Sequence, residues 1–293
     1  MSADMTYSYA VTRADATPDA LDEELRRVRG VAGAPVRLVR AHGLAAVASP
    51  VPARDFDESA LKDRLEDMEW LESVARAHHA VVETVFARTT VLPLRLATLH
   101  LDDDRVRDML ARRAEEFRTL LGRLDGQVEW GVKVYALPPP AGSPVPAATA
   151  GSAGGSPGRD YLRGRQRQRR SGEDAWRAAR DAVLRVDAEA RVLAVERVQH
   201  RLQQGELATG PGYNVTNDAY LVPRGSGDDF RARVEGAAEG LGGIRVETTG
   251  PWAPYSFTAP EHTDDDIREE TERARRQETE SGTDAADEEV GAP

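Results

Sequence analysis

Two histidines stand side by side at His78 and His79, with Glu83 four residues after the second. These are metal-ligating types, and ligation needs side chains that converge on one point. Adjacent helical residues point about 100° apart, and no second His/Glu pair holds matching positions on another expected helix. His78 also falls on an apolar stripe, so it reads as a hydrogen-bonded core histidine. Cysteine is absent, which removes thiolate nucleophiles, disulfides and sulfur-ligated metals. The glycine clusters Thr209-Gly210-Pro211-Gly212 and Gly240-Leu241-Gly242-Gly243 lack the strand-to-helix setting of a dinucleotide loop and the Gly-Lys-Ser/Thr of a phosphate loop. There is no GxSxG and no distinguishable Ser/His/Asp set. The sequence therefore predicts no catalytic residue, no metal site and no cofactor.

Other residue groups suggest contacts with a partner. Arg159, Arg163, Arg165, Arg167, Arg169 and Arg170 crowd together against a lone Asp160. Such density can neutralise phosphates, which keeps a nucleic-acid-binding regulator as the runner-up reading. With only Tyr161 interleaved, a solvated helix face is the plainer account. Thr90 to Leu99, TVLPLRLATL, sets Pro93 and Arg95 inside an apolar run. An interior proline excludes a regular helix there. The Arg95 stem should pack while its guanidinium finds an acceptor. Gly250 to Phe257, GPWAPYSF, is rigid through Pro251 and Pro254 and rich in area through Trp252, Tyr255 and Phe257. It reads either as a clasp closing the core or as a partner-binding ridge.

The elements that must position these residues follow from periodicity. Thr6 to Val11 alternates as a strand. Leu21, Leu25 and Val28 keep helical spacing after Thr17-Pro18. Val36–Ala41 and Leu44–Ser49 form a hairpin at His42-Gly43. A helix spans about Asp67 to Ala87, and a second starts at Asp102-Asp103-Asp104 and continues through Val106, Leu110, Phe117 and Leu121. Gln127 to Leu137 is a strand. The N-terminal half is thus α+β and ferredoxin-like in a modified form, βαββααβ. Arg159 to about Arg191 is helical, Val198–Leu202 and Tyr213–Pro223 are strands, Asp228–Leu241 is a helix, and Gly243–Thr249 closes a second, smaller α+β unit with a long helix. A borrowed strand would give that unit a complete sheet, and a similar fold in the two halves is compatible with the sequence, although no repeat of 20–50 residues stands out.

The expected division is 1–137 for the first domain, 138–158 for an uncharged Pro/Ala/Gly/Ser linker, 159–258 for the second domain and 259–293 for a disordered acidic tail. The chain's net charge is −11. From Pro260 onward 13 Asp/Glu face 4 Arg, so the rest is nearly neutral. With no signal peptide and no apolar run approaching the roughly 18 residues of a membrane helix, the expected location is cytoplasmic.

Seven blocks in order carry a resemblance: GLAAVAS (Gly43 to Ser49), WLESVARAHHAVVE (Trp70 to Glu83), TVLPLRLATL, EWGVKVY (Glu129 to Tyr135), GRDYLRGRQ (Gly158 to Gln166), AYLVPR (Ala219 to Arg224) and GPWAPYSF. Together they resemble the gas vesicle F/L family over about Thr6 to Thr258. The resemblance implies a two-domain α+β protein with a ferredoxin-like N-terminal half. It implies a minor component of vesicle assembly that contacts the small hydrophobic shell protein and other accessory proteins, with no catalytic residues. The candidate contact or clasp residues are Pro93, Arg95, Trp252, Tyr255 and Phe257. Departures from the pattern are Gly164 inside a helix block, the polar run Asn214, Thr216, Asn217 and Asp218, and the acidic tail.

Overall fold

A computed structural model describes residues 4–16, 19–56, 60, 64, 66–137, 177–202 and 212–259. The expected linker 138–158, the Arg159–Arg170 tract and the tail from residue 260 lie outside the described residues.

The first sheet grows from β1 (Asp4–Arg13), whose alternating residues bury Tyr7. After α1 (Asp19–Arg27), β2 (Arg37–Ala41) and β3 (Leu44–Pro52) form the expected hairpin, with Ala41 opposite Leu44. His42 and Gly43 both take positive φ, 51° and 73°, the combination that matches the right-handed twist of a two-residue hairpin turn. A short helix α2 (Ala53–Phe56) precedes α3 (Met68–Phe86). Asp67 caps α3 by accepting Glu69 N and Trp70 N, both at 3.1 Å. Its inner face is Val74, His78, Val81, Val82, Val85 and Phe86.

The Pro93 segment then becomes a strand, β4 (Leu92–His100), at the sheet edge beside β1. An edge position tolerates a residue without an N–H. The sheet order is β2-β3-β1-β4, with antiparallel neighbours throughout. The expected single helix after Asp102 is two, α4 (Asp103–Arg112) and α5 (Ala114–Arg123), because Arg113 leaves helical geometry at φ −106°, ψ 19°. Asp103 is drawn out of cap duty by Arg37, which donates to it from Nη2 at 2.6 Å, and by Thr6 Oγ1 at 2.9 Å. Asp102 caps instead, accepting Arg105 N at 2.8 Å.

The strand β5 (Gln127–Ala136) corrects the expected βαββααβ unit. It was expected to close the first sheet, but β4 already fills that edge. β5 sits in the second sheet, whose order is β6-β7-β5-β8, with β6 Glu196–Gln199, β7 Tyr213–Pro223 and β8 Ile244–Trp252. It completes the second sheet as a strand supplied from before the expected linker. Helix α6 (177–190) runs between β5 and β6, and α7 (Gly227–Gly236) between β7 and β8. Both sheets therefore have the same connectivity and the same strand order.

The first sheet is covered on both faces. Tyr7, Tyr9, Val47 and Val51 join α1 and α3 in one core. Val39, Ala46 and Ala48 join Val106, Leu110, Phe117 and Leu121 in another. A bulge between Ser8 and Ala10 allows β1 to serve both, with Ala10 in the first core and Val11 in the second. Val128, Trp130, Val132 and Val134 of β5 continue the first core under α6 and α7.

Candidate functional site: the β4 bulge and the aromatic clasp

The bulge in β1 is matched by a larger excursion in β4. Ser8 pairs with Thr98 and Ala10 with Pro93, so Leu94 to Ala97 loop away from the sheet opposite Tyr9. Ala97 takes φ 59°, a conformation costly for a residue with a Cβ. Two bonds hold it: Ala97 N donates to Tyr7 Oη at 2.9 Å, and Thr98 Oγ1 donates to Arg95 O at 2.7 Å. Pro93 is buried, Leu96 is 39% exposed and Arg95 is exposed. The expectation that the Arg95 guanidinium finds an acceptor is overturned. The outward turn of the bulge carries it away from carboxylates, and among the described residues it has no hydrogen bond or ion pair.

Behind the bulge is the Tyr7–His78 pair, with Tyr7 Oη 3.1 Å from His78 Nδ1. Tyr7 Oη already accepts from Ala97, which leaves its own proton free to point to Nδ1. Burial and the neighbouring His79 push the His78 pKa down to about 4, which keeps the ring neutral. Burial raises the Tyr7 and Tyr9 phenols. Tyr9 Oη lies 2.6 Å from Ser49 Oγ and accepts Val31 N at 2.7 Å.

The histidine pair and Glu83 diverge. His79 meets Trp252 edge to face at 5.6 Å, and Glu83 Oε1 accepts Ala253 N at 3.3 Å. Their common service is to seat the clasp on α3. The clasp begins at Gly250, φ 138°, where a Cβ would lie 2.8 Å from Glu129 O and 3.1 Å from the Trp130 ring. Only glycine fits that approach. Ala253 and Phe257 are buried, Tyr255 lies over His78 and His79, and the 255–257 turn rests against β4. Trp252 stays 40% exposed. Arg123 Nη2 donates to Phe257 O at 2.6 Å. Thus Tyr255 and Phe257 pack inward, while Trp252 and Arg95 face solvent.

Sequence reasoning missed Glu129 and Ser256. Glu129 accepts Ser256 N at 2.8 Å and Ser256 Oγ at 2.7 Å, while His200 Nε2 lies 2.9 Å from the same Oγ. Burial raises the Glu129 pKa, opposed by the two bonds from Ser256. A hydrolytic triad puts the imidazole between serine and carboxylate. Here the serine is in the middle, so its proton goes to Glu129 and its oxygen is held. The set orients the clasp. The available signal was a carboxylate between Val128 and Trp130 within an apolar strand.

A cleft of about 310 Å³ opens between the α3–β4 and α5–β5 turns, lined by Phe86, Thr90, Asp125, Gln127, Arg224 and Pro254 among others. Several of its polar groups are engaged with each other or with backbone. Thr90 Oγ1 donates to Asp125 at 2.5 Å, and Arg224 donates to Phe86 O at 3.4 Å.

A profile described as "Gas vesicle synthesis protein GvpL/GvpF" matches residues 5–259. The chain belongs to the GvpL/GvpF family. It is 45% identical to Gas vesicle protein L of Streptomyces sp. (strain CB03234) over 279 residues, covering 94% of this chain and 100% of that protein. It is 27% identical to Gas vesicle protein F of the same strain over 266 residues, covering 86% and 98%. The fold resembles the crystal structure of GvpF from Anabaena sp. PCC7120, with TM-score 0.62 and 18% identity over 89% of this chain and 98% of that one. Family membership accounts for the ordered blocks read from the sequence. No helix among the described residues is long and apolar enough to cross a membrane.

Within this GvpL/GvpF chain, the polar run of β7 has a structural partner. Asp218, only 2% exposed, accepts Arg197 Nε at 3.1 Å and Nη2 at 2.9 Å, and Thr216 Oγ1 donates to its other oxygen. Arg197 Nη1 also reaches Asp187 of α6 at 2.9 Å. Burial beside Asp218 raises the Tyr220 phenol. The network ties α6 to β6 and β7.

Proposed function

We propose that this chain is an L-type accessory protein of gas vesicle formation. It binds the small hydrophobic shell protein and other accessory proteins in the cytoplasm, stays with the forming vesicle and works without catalysis or a cofactor. The observation that carries this reading is the family match over residues 5–259, joined to 45% identity with a Gas vesicle protein L across 94% of this chain. The L assignment is supported by the 45% and 27% identities to the L and F proteins of one strain. The physical need is plain: a shell subunit with a strongly apolar face aggregates unless escorted.

We assign the contact to the clasp and the β4 bulge. In support, Trp252 and Leu96 are 40% and 39% exposed and Arg95 has no partner among the described residues. The strained Ala97 holds the bulge outward. We read each half as a ferredoxin-like βαββαβ unit; the support is the strand order β2-β3-β1-β4 and its repetition in β6-β7-β5-β8.

Titration of the purified full chain with the shell protein tests the reading. Apolar contact predicts binding that survives moderate salt far better than a phosphate complex does. Trp252→Ala, checked for folding by circular dichroism, should bind about tenfold more weakly. Absence of binding by the folded wild type at every salt concentration contradicts the shell-protein contact.

A further inference from the structure

Among the described residues, each half of the body has a helix in the crossover between its first and second strands: α1 between β1 and β2, and α6 between β5 and β6. Both turn an apolar edge inward, Leu21 and Leu25 on α1, and Ala179, Ala182, Val186 and Ala190 on α6. Their outer faces differ. α1 carries charge that the chain itself neutralises, through Arg27–Glu23, Arg40–Asp22 and Arg88–Glu24. α6 shows Leu184 at 65% exposure, then exposed Ala188, then Val192 at 57% and Val195 at 61% just past its end. Helical hydrogen bonding continues through that end, with Arg191 N donating to Asp187 O at 3.0 Å and Ala194 N to Ala190 O at 2.9 Å. Spacings of four keep Leu184, Ala188 and Val192 on one side, a ridge on the order of 12 Å long, whereas Val195 has left the helix and donates its N–H to Leu221 O at 2.8 Å.

A single exposed leucine needs no explanation, but a helical row of apolar side chains does. Arg180 and Arg185 flank the row on opposite sides. Both are exposed, and among the described residues neither has a carboxylate partner. Several other exposed helical arginines are matched, as in Arg76–Glu72, Arg107–Asp104, Arg113–Glu116 and Arg231–Glu235, although Arg26 and Arg112 also have no carboxylate partner among the described residues. We propose that the outer face of α6, Leu184-Ala188-Val192 between Arg180 and Arg185, is a second docking surface, which takes an amphipathic helix of a partner protein whose apolar face is bordered by carboxylates. The small Ala188 at the centre lets the incoming helix approach closely, with its ridge entering the groove beside Leu184. The two unmatched arginines select the sign of the partner's flanks. The surface shares no residue with the clasp or the β4 bulge and does not rest on the shell-protein reading. With both, the chain is an adapter with two faces.

The test uses the full chain and two synthetic amphipathic helices of about 18 residues, long enough to span the ridge. Both have leucines on one face; one has glutamates on the flanks and its twin has lysines. Fluorescence anisotropy should show the glutamate peptide binding at least about tenfold more tightly than the twin. Leu184→Ser with Val192→Ser should abolish that binding without lowering the melting temperature, since both side chains are exposed. Arg180→Glu with Arg185→Glu should reverse the preference between the peptides. Should the serine variant melt lower, Ala188→Arg blocks the groove while keeping a good helix former, and it should lose binding with normal melting. Equal binding of the two peptides, or unchanged binding by folded Ala188→Arg, overturns the proposal. So does a dimer of the chain that the serine variant dissolves in sedimentation, because the row is then covered by a second copy.

Discussion

His78 is buried on α3 with one nitrogen on Tyr7, and that burial sets how the protein meets acid. Its pKa is about 4 when folded and 6.5 in an open chain, so the unfolded state binds the proton first. Stability is complete above pH 6.5 and falls as the pH drops through the window to 4, by about 3 kcal/mol in all. Glu129 works in the opposite sense, since burial raises its pKa. The clean measurement is therefore the difference between wild type and His78→Gln in denaturant unfolding from pH 7 to pH 4. The glutamine can still accept from Tyr7 but takes no proton, and its curve should lack the His78 part of the slope. Parallel curves would show that His78 is not held neutral. Ala97 offers a second test at this scale. Glycine at its φ of 59° removes the strain of the Cβ at some cost in unfolded-chain entropy. Ala97→Gly should stabilise by about 0.5 kcal/mol. A loss of stability in the melt would mean that the bulge is not strained.

Among the elements, the ones that were legible had a local cause. The hairpin turn, the Asp67 cap and the stripe of α3 each follow from residues within a few positions. The choice of Asp102 over Asp103 as cap and the fate of β4 and β5 did not, because they depend on distant chain. Asp103 is drawn away by Arg37 and Thr6, and β5 belongs to a sheet whose other strands begin about 60 residues later. Pro93 excluded a helix correctly but did not show an edge strand with a looped bulge. The Arg197 network gives a prediction for how α6 is fixed. Arg197→Ala leaves Asp218 without its cation and Asp187 with Arg191 alone, and Asp218 is almost fully buried. It should cost about 3 kcal/mol or more, read from urea unfolding, with α6 amides exchanging faster. An effect near zero would mean that water already serves those carboxylates.

The whole molecule repeats one βαββαβ order twice and joins the copies through β5 and the clasp. The repeat was visible in the sequence only as a suspicion, because two sheets can share an order without sharing residues. The site was half legible. Pro, Arg and aromatic residues in unusual settings marked the right segments, whereas the Tyr7–His78 and Glu129–Ser256 contacts that shape them join residues 71 and 127 positions apart. A role in vesicle assembly rests on the family and on this continuous two-sheet body. It is tested most directly by counting vesicles by electron microscopy in vesicle-forming cells that lack this gene, with and without the gene restored. The account predicts few or misshapen vesicles without it and recovery on restoration. Vesicles normal in number and shape in its absence would contradict the assembly role.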